Sequence, residues 1–308
     1  MTDNTNTSGI SGEKKAGFVT IVGKPNAGKS TLMNALLNYD LSIVTRKVQT
    51  TRNRIMGVLT ENNYQIVFND TPGLLDPKYE LQIFMLSEIK SSFEEADIVM
   101  NIIDVNSFSV EEQIKFDKDY MEELSGKKRI IVLNKIDSTT QDKVIDAIGI
   151  LNKECGYETI IPVSALERYN IEELKKIIVE NLPVGEFFYS EDTITDRNER
   201  FFVAEIIRKN VLKYYSEEIP YSVFVDVEEF KEREARKDYI GASIVVERES
   251  QKIILIGKKG ESLKKLGAIS RKEIENFLGR EIYLNLFVKV RKDWRKDKNF
   301  LRNNFRKI

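Results

Sequence analysis

The sequence holds 308 residues with a formal net charge of −1; 41% are apolar, 31% are charged, one is cysteine (Cys155) and none is histidine. This length gives two domains of ordinary size. A single cysteine without histidine excludes an internal disulfide, a cysteine zinc cluster, a histidine triad and a histidine metal site. No run of about 18 apolar residues occurs, so no membrane-spanning segment is expected. Catalysis is left to Lys, Thr, Asp, backbone amides and metal ions, and a reducing cytoplasm is the natural setting.

In chain order, residues 1–15 are polar and read as a disordered leader, not a secretory signal. From 16 to 183 apolar strands alternate with amphipathic helices. The strands are GFVTIVG, NRIMGVL, YQIVFND, DIVMNIIDV, RIIVLNK and TIIPVS; the helices are Lys29–Leu37, Leu81–Phe93, Val110–Leu124, Asp142–Glu154 and Ile171–Asn181. The alternation predicts an α/β domain with a mostly parallel sheet covered on both faces, and the second and third strands lie close enough for a hairpin around Glu61-Asn62-Asn63. Residues 184–196, opening on Val184-Gly185 and turning acidic, read as a linker. An α+β domain follows over 197–308: a helix from about Asp196 to Tyr215, strands Tyr221–Phe230, Tyr239–Glu247 and Lys252–Gly257, a helix Glu261–Leu278 and a strand Ile282–Val290.

Charge is uneven. Residues 1–183 sum to −6 and residues 184–308 to +5, and from Lys252 onward the sum is +11. A basic end on a near-neutral chain suggests a local polyanion contact. The last stretch, Asn299–Ile308, reads as basic decoration.

Gly23-Lys24-Pro25-Asn26-Ala27-Gly28-Lys29-Ser30 is a complete G-x-x-x-x-G-K-S between a strand and a helix. Its glycines let main-chain amides turn toward phosphate oxygens at a helix N-terminus, Lys29 reaches the β- and γ-phosphates, and Ser30 offers a hydroxyl to Mg²⁺. Asp70-Thr71-Pro72-Gly73 ends the third strand with D-x-x-G, where Asp70 faces the metal and the Gly73 amide senses the γ-phosphate. Between the two lies Val48-Gln49-Thr50-Thr51-Arg52, in which Thr51 is the preferred further Mg²⁺ ligand. Leu74 stands where Ras-type enzymes carry a water-orienting glutamine, so hydrolysis is expected to be slow alone or to use another group, a cation or a partner.

Asn134-Lys135-Ile136-Asp137 follows the strand RIIVL. A carboxylate at Asp137 accepts from the ring N–H and the exocyclic amine of guanine and rejects adenine, which offers no such pair. Lys135 lies along the base, Asn134 braces the loops, and Ser164-Ala165-Leu166 supplies an amide for the guanine oxygen. In the second domain, Gly257-Lys258-Lys259-Gly260 is a G-x-x-G loop of the KH kind, which clamps a single-stranded nucleic acid backbone. Lys264, Lys265, Arg271, Lys272 and Arg291 add charge around it. Trp294 is a stacking candidate, although burial is the commoner fate of tryptophan. Ile253, Leu255, Leu263, Leu266, Ile269, Ile274, Phe277 and Leu278 read as core.

Gly-Lys-Pro-Asn-Ala-Gly-Lys-Ser, Gln-Thr-Thr-Arg, Asp-Thr-Pro-Gly-Leu, Asn-Lys-Ile-Asp, Ser-Ala-Leu and Ile-Gly-Lys-Lys-Gly-Glu-Ser-Leu-Lys together resemble the Era family of bacterial GTPases, from about Ala16 to Trp294. The resemblance implies a Ras-like P-loop GTPase domain joined to a type II KH domain. It implies binding to the 3′ end of 16S rRNA, a role in 30S assembly, and a cytoplasmic protein with a peripheral membrane pool; a monomer is a separate expectation. It places nucleotide contacts at Asn26–Thr31, Asp70–Gly73, Asn134, Lys135, Asp137, Ser164 and Ala165, with Lys29, Thr51 and Gly73 central to hydrolysis, Mg²⁺ at Ser30, Thr51 and Asp70, and K⁺ near Asn26. Two other classes compete. An RNA-modification GTPase would need an extra catalytic domain, and a membrane or partner-binding module with a vestigial site is disfavoured by intact Lys29, Ser30, Asp70 and Asp137.

Overall fold

The computed structural model describes residues 13–234 and 236–305. The first half comprises β1 (Lys15–Val22), α1 (Lys29–Leu37), β2 (Ile55–Glu61), β3 (Tyr64–Asp70), α2 (Glu80–Glu95), β4 (Ile98–Asp104), α3 (Val110–Asp119), α4 (Met121–Leu124), β5 (Lys128–Asn134), α5 (Gln141–Cys155), β6 (Ile160–Pro162) and α6 (Ile171–Asn181). Its sheet runs β2-β3-β1-β4-β5-β6, with β2 alone antiparallel, paired with β3 from Ile55↔Asp70 to Glu61↔Tyr64. The parallel strands bring Val22, Asp70, Asp104 and Asn134 to one edge, where open α/β sheets bind ligands. Because both faces are covered, the central strands carry apolar residues toward both sides. Val19, Ile21, Phe68, Met100 and Val132 pack with α1 and α6, while Val22 and Val99 pack with Ile89 and Phe93 of α2 and Phe116 of α3.

Residues 184–196 do not hang free. The Gln65 side chain accepts from the Phe188 and Tyr189 amides at 2.8 and 3.0 Å and donates to Tyr189 O at 2.9 Å. The Val58 amide donates to Ile194 O at 2.8 Å and Thr195 Oγ1 to Met56 O at 2.7 Å, so the segment runs along the outer border of β2. The expected leader falls mostly on residues outside the described range; β1 itself begins at Lys15.

The second half comprises α7 (Glu199–Tyr214), α8 (Ile219–Ser222), β7 (Phe224–Lys231), β8 (Asp238–Val246), α9 (Glu249–Ile256), α10 (Glu261–Leu278), β9 (Ile282–Val290) and α11 (Lys298–Phe305). Its sheet is β7-β8-β9, antiparallel then parallel. The strand expected at Lys252–Gly257 is helix α9. Gln251 Oε1 accepts from the Glu247 and Arg248 amides and starts the helix, and Gln251 and Leu255, four residues apart, share its buried face. An unbroken run of four apolar residues has no period of its own and reads as strand or helix alike. Ile253 consequently leaves the core and is 69% exposed, with Ile254 at 49%.

The tail is structural, not decorative. Trp294 is fully buried and donates through Nε1 to Ser222 O at 3.0 Å, so it offers no face to a base. Phe300, Leu301 and Phe305 of α11 join Trp294, Phe224 and Val245 in one cluster with Leu81 and Met85 of α2. Phe84 meets Phe305 edge-on at 5.5 Å between ring centroids, and Lys298 lies 3.5 Å from Glu80. An apolar core thus crosses from one domain to the other.

Candidate nucleotide site

The phosphate loop follows β1, and its path needs glycine at positions 23 and 28. Gly28 has φ +104, and a Cβ there would stand 2.3 Å from Asn134 Nδ2; at Gly23 one would stand 2.3 Å from Ile102 O. Asn26 also takes positive φ, 63°, and its Nδ2 donates to Arg46 O at 3.1 Å. Lys29 is buried, and its ammonium donates to Gly23 O and Lys24 O at 3.0 and 2.9 Å. Burial pushes this ammonium down to about 8, against the opposing charge of Asp70.

Three oxygens converge beside Lys29. Ser30 Oγ donates to Asp70 Oδ2 at 2.7 Å, and Thr51 Oγ1 is 3.0 Å from Ser30 Oγ and 3.5 Å from Asp70 Oδ2. Asp70 is wholly buried, and its Oδ1 has no hydrogen-bond partner. Burial pushes this carboxyl up, against the Ser30 hydrogen bond and the Lys29 charge. Hard oxygen donors with one orphaned carboxylate oxygen fit Mg²⁺, which neutralises what burial disfavours.

Gly73 lies against the phosphate loop: a Cβ there would be 2.8 Å from Pro25 Cα. The next amide, Leu74 N, donates to Gly23 O at 3.1 Å, while the Leu74 side chain packs against the cluster of Val22, Ile89 and Phe93. Thr71 is buried and holds Ile21 O at 2.7 Å.

At the base end, Asn134 Nδ2 donates to Ala27 O at 2.8 Å and its Oδ1 accepts from the Ala165 amide at 3.0 Å, tying three loops together. Lys135 pairs with Asp104 at 2.7 Å and Asp137 accepts from Ser164 Oγ at 2.5 Å. Of the amides of Ser164-Ala165-Leu166, from which one was expected at the guanine oxygen, that of Ala165 is engaged by Asn134. Asn26, Gly28, Lys29, Ser30, Thr31, Thr51, Gly73, Lys135 and Asp137 all line one cleft of about 600 Å³. Asp70, Thr71, Pro72 and Ser164 are buried behind its wall.

Across the second domain, the Gly257–Gly260 turn has positive φ at Gly257, Lys259 and Gly260. A Cβ at Gly257 would meet Ser262 Oγ at 2.2 Å, whereas Gly260 faces open space. Lys258, Lys259, Lys264, Lys265, Arg271 and Lys272 are exposed. Arg291, counted with them, is exposed as well; it pairs with Asp297 at 2.7 Å and lies over the Phe300 ring. Ile253 and Ile254, read as core or left out, present apolar surface beside the loop; only the helical phase of α9 would have revealed them.

A family model described as a 50S ribosome-binding GTPase matches residues 18–135, and one described as a KH domain matches residues 218–295. The chain is 42% identical over 290 residues to GTPase Era of Clostridium botulinum (strain Langeland), spanning 94% of this chain and 97% of that protein. It is 41% identical over the same shares to GTPase Era of Clostridium perfringens (strain 13). Among solved structures, a variant of Aquifex aeolicus Era bound to GDP·AlF4⁻ superposes with a TM-score of 0.90 at 41% identity, covering 94% of this chain and 98% of that one. Era in complex with MgGDPNP and nucleotides 1506–1542 of 16S ribosomal RNA gives a TM-score of 0.90 at 40% identity over the same shares.

Proposed function

The chain belongs to the Era family of GTPases, and from that premise we propose that it binds GTP with Mg²⁺ in this cleft, hydrolyses it to GDP and phosphate, binds the 3′ end of 16S rRNA through its KH domain, and acts in assembly of the 30S subunit. The observation that carries the reading is the meeting of Ser30, Thr51 and Asp70 oxygens beside the buried Lys29.

In this reading the loop amides from Asn26 to Ser30 cradle the phosphates, and Lys29 exchanges Gly23 O and Lys24 O for β- and γ-oxygens. Thr51, beside Ser30 and Asp70, and the Gly73 amide would contact the γ-phosphate and its Mg²⁺, and loss of that phosphate would free the two flanking segments, which makes them a switch. Mg²⁺, when bound by Ser30, Thr51 and Asp70, neutralises charge developing on the transferred group. Asp137 selects guanine, positioned by Ser164. Leu74 orients no water, so the loop amides and Lys29 provide the stabilisation that this chain supplies itself. K⁺ near Asn26, a monomeric state, and a cytoplasmic protein with a peripheral membrane pool complete the proposal; among the described residues no helix is long and apolar enough to cross a membrane.

The RNA would lie along the Gly257–Gly260 loop, its backbone against the main chain there and its charge met by Lys258, Lys259, Lys264, Lys265, Arg271 and Lys272. One titration tests both halves: GTP, GDP and ATP, each with Mg²⁺, with and without an oligonucleotide of the 16S rRNA 3′ end. Preference for guanosine nucleotides and salt-sensitive oligonucleotide binding are expected. Equal affinity for ATP and GTP would overturn the nucleotide reading, and absence of oligonucleotide binding the RNA reading. Equal hydrolysis rates in Na⁺ and K⁺ would remove K⁺.

A further inference from the structure

The segment 45–53 lies between the phosphate site and the second domain, and its neighbouring residues face opposite ways. Thr51 turns toward Ser30 and Asp70. Arg52 turns away, is 2% exposed, and donates through Nη1 to Val223 O at 2.6 Å and through Nη2 to Pro220 O and Tyr221 O at 3.3 and 3.2 Å. Its guanidinium also sits 6.0 Å from the centre of the Trp294 ring. From the other side Arg208 of α7, 3% exposed, donates to Thr50 O and, at 3.5 Å, to Gln49 O. Arg208 is itself fixed by Glu205, with Nε to Oε1 at 2.7 Å. Lys47 Nζ donates to Tyr215 O. Second-domain atoms therefore hold the main chain or side chain on both sides of Thr51, whose own hydroxyl meets Ser30 and Asp70.

Two guanidinium groups are buried here: Glu205 pairs with Arg208, while Arg52 is held by carbonyls and its Nε has no partner among the described residues. Such an arrangement is costly to desolvate and persists only while its carbonyl acceptors stay in register, so a small displacement of either domain disrupts it as a unit. Arginine suits the task because its planar fork fits several carbonyls at once.

We infer that Arg52 and Arg208 are positioning residues for the GTPase reaction: the second domain, through this pair, sets Thr51 where its hydroxyl meets Ser30 and Asp70, and the same pair couples nucleotide to RNA. The inference rests on the proposed function and adds its route. Reciprocity follows: whatever factor GTP adds to RNA affinity, RNA adds to GTP affinity, and both pass through Thr51.

The test uses the full chain with Arg208→Ala and Arg208→Lys, which keeps the charge beside Glu205 but loses the fork. Amide exchange over residues 45–53 is measured in nucleotide-free protein, and affinities for GDPNP and GDP are measured with and without an oligonucleotide of the 16S rRNA 3′ end. In Arg208→Ala, exchange over 45–53 is expected to quicken at least about tenfold, and the coupling factor to fall to within about twofold of one. GDP affinity should stay within about twofold of wild type. Arg208→Lys should recover melting temperature without recovering coupling. Wild-type exchange rates in both variants, or intact coupling in Arg208→Ala, would overturn the inference. If the wild-type chain ignores the oligonucleotide, the RNA reading fails, and the exchange rates alone decide whether Arg208 positions Thr51.

Discussion

Ser164 Oγ donates to Asp137 Oδ1 across 2.5 Å, so the carboxylate proposed to select the base is held by the loop that follows β6. Replacing Asp137 by Asn leaves this contact possible but offers guanine one acceptor and one donor where it needs two acceptors. GTP affinity is expected to fall about 100-fold or more while xanthosine triphosphate, which carries a carbonyl at that position, gains. Competition binding with both nucleotides checks this; unchanged preference for GTP would remove Asp137 from the base site.

Asp70, proposed to hold Mg²⁺ with Ser30 and Thr51, is fully buried and its Oδ1 is unpartnered. Asp70→Asn removes the charge without changing the shape. The Mg²⁺ concentration giving half-maximal GDPNP binding should rise about tenfold or more, with no loss of thermal stability in the nucleotide-free chain, because burial disfavours this charge more than Ser30 and Lys29 favour it. A Mg²⁺ titration followed by fluorescence, alongside melting curves, separates the two effects.

Gly260 has φ +79 and faces open space, so a side chain there meets solvent or ligand and not the protein. Gly260→Asp places a negative charge where a phosphodiester would pass. RNA affinity should drop about tenfold or more and GTP affinity should not move. Equal RNA affinity would mean that the backbone does not approach this loop.

Phe305 lies in the cluster that joins α11 and Trp294 to Leu81 and Met85 of α2. Phe305→Ala should cost roughly 3 kcal/mol, as is usual for a buried aromatic. Because the lost contacts bridge the domains, urea unfolding should separate into two steps. A single cooperative transition at the wild-type midpoint would contradict a bridging role.

The nucleotide site was legible because its parts are contiguous words at strand ends, each chemically complete within a few residues. Lys29, Ser30, Asp70 and Asp137 each announce a role by type and spacing. Arg52 does not, since its partners are carbonyls of Pro220, Tyr221 and Val223, and a carbonyl leaves no mark in a sequence. Phe300 and Phe305 were obscured by the basic residues around them, and the surface they cover belongs to a helix more than 200 residues earlier. Ile253 was misplaced because a short apolar run does not declare its period. Trp294 was legible as an alternative between stacking and burial, and only packing decided it.

The connecting segment along β2 has a further consequence. β2 is the last strand of its sheet, and its outer hydrogen-bonding groups would otherwise invite a stranger's strand. Ile194 O satisfies Val58 N, Thr195 satisfies Met56 O and Arg197 satisfies Arg54 O. The stretch that connects the two halves is thus also a selvedge, and a first domain severed at residue 183 would lose it and tend to zip onto copies of itself.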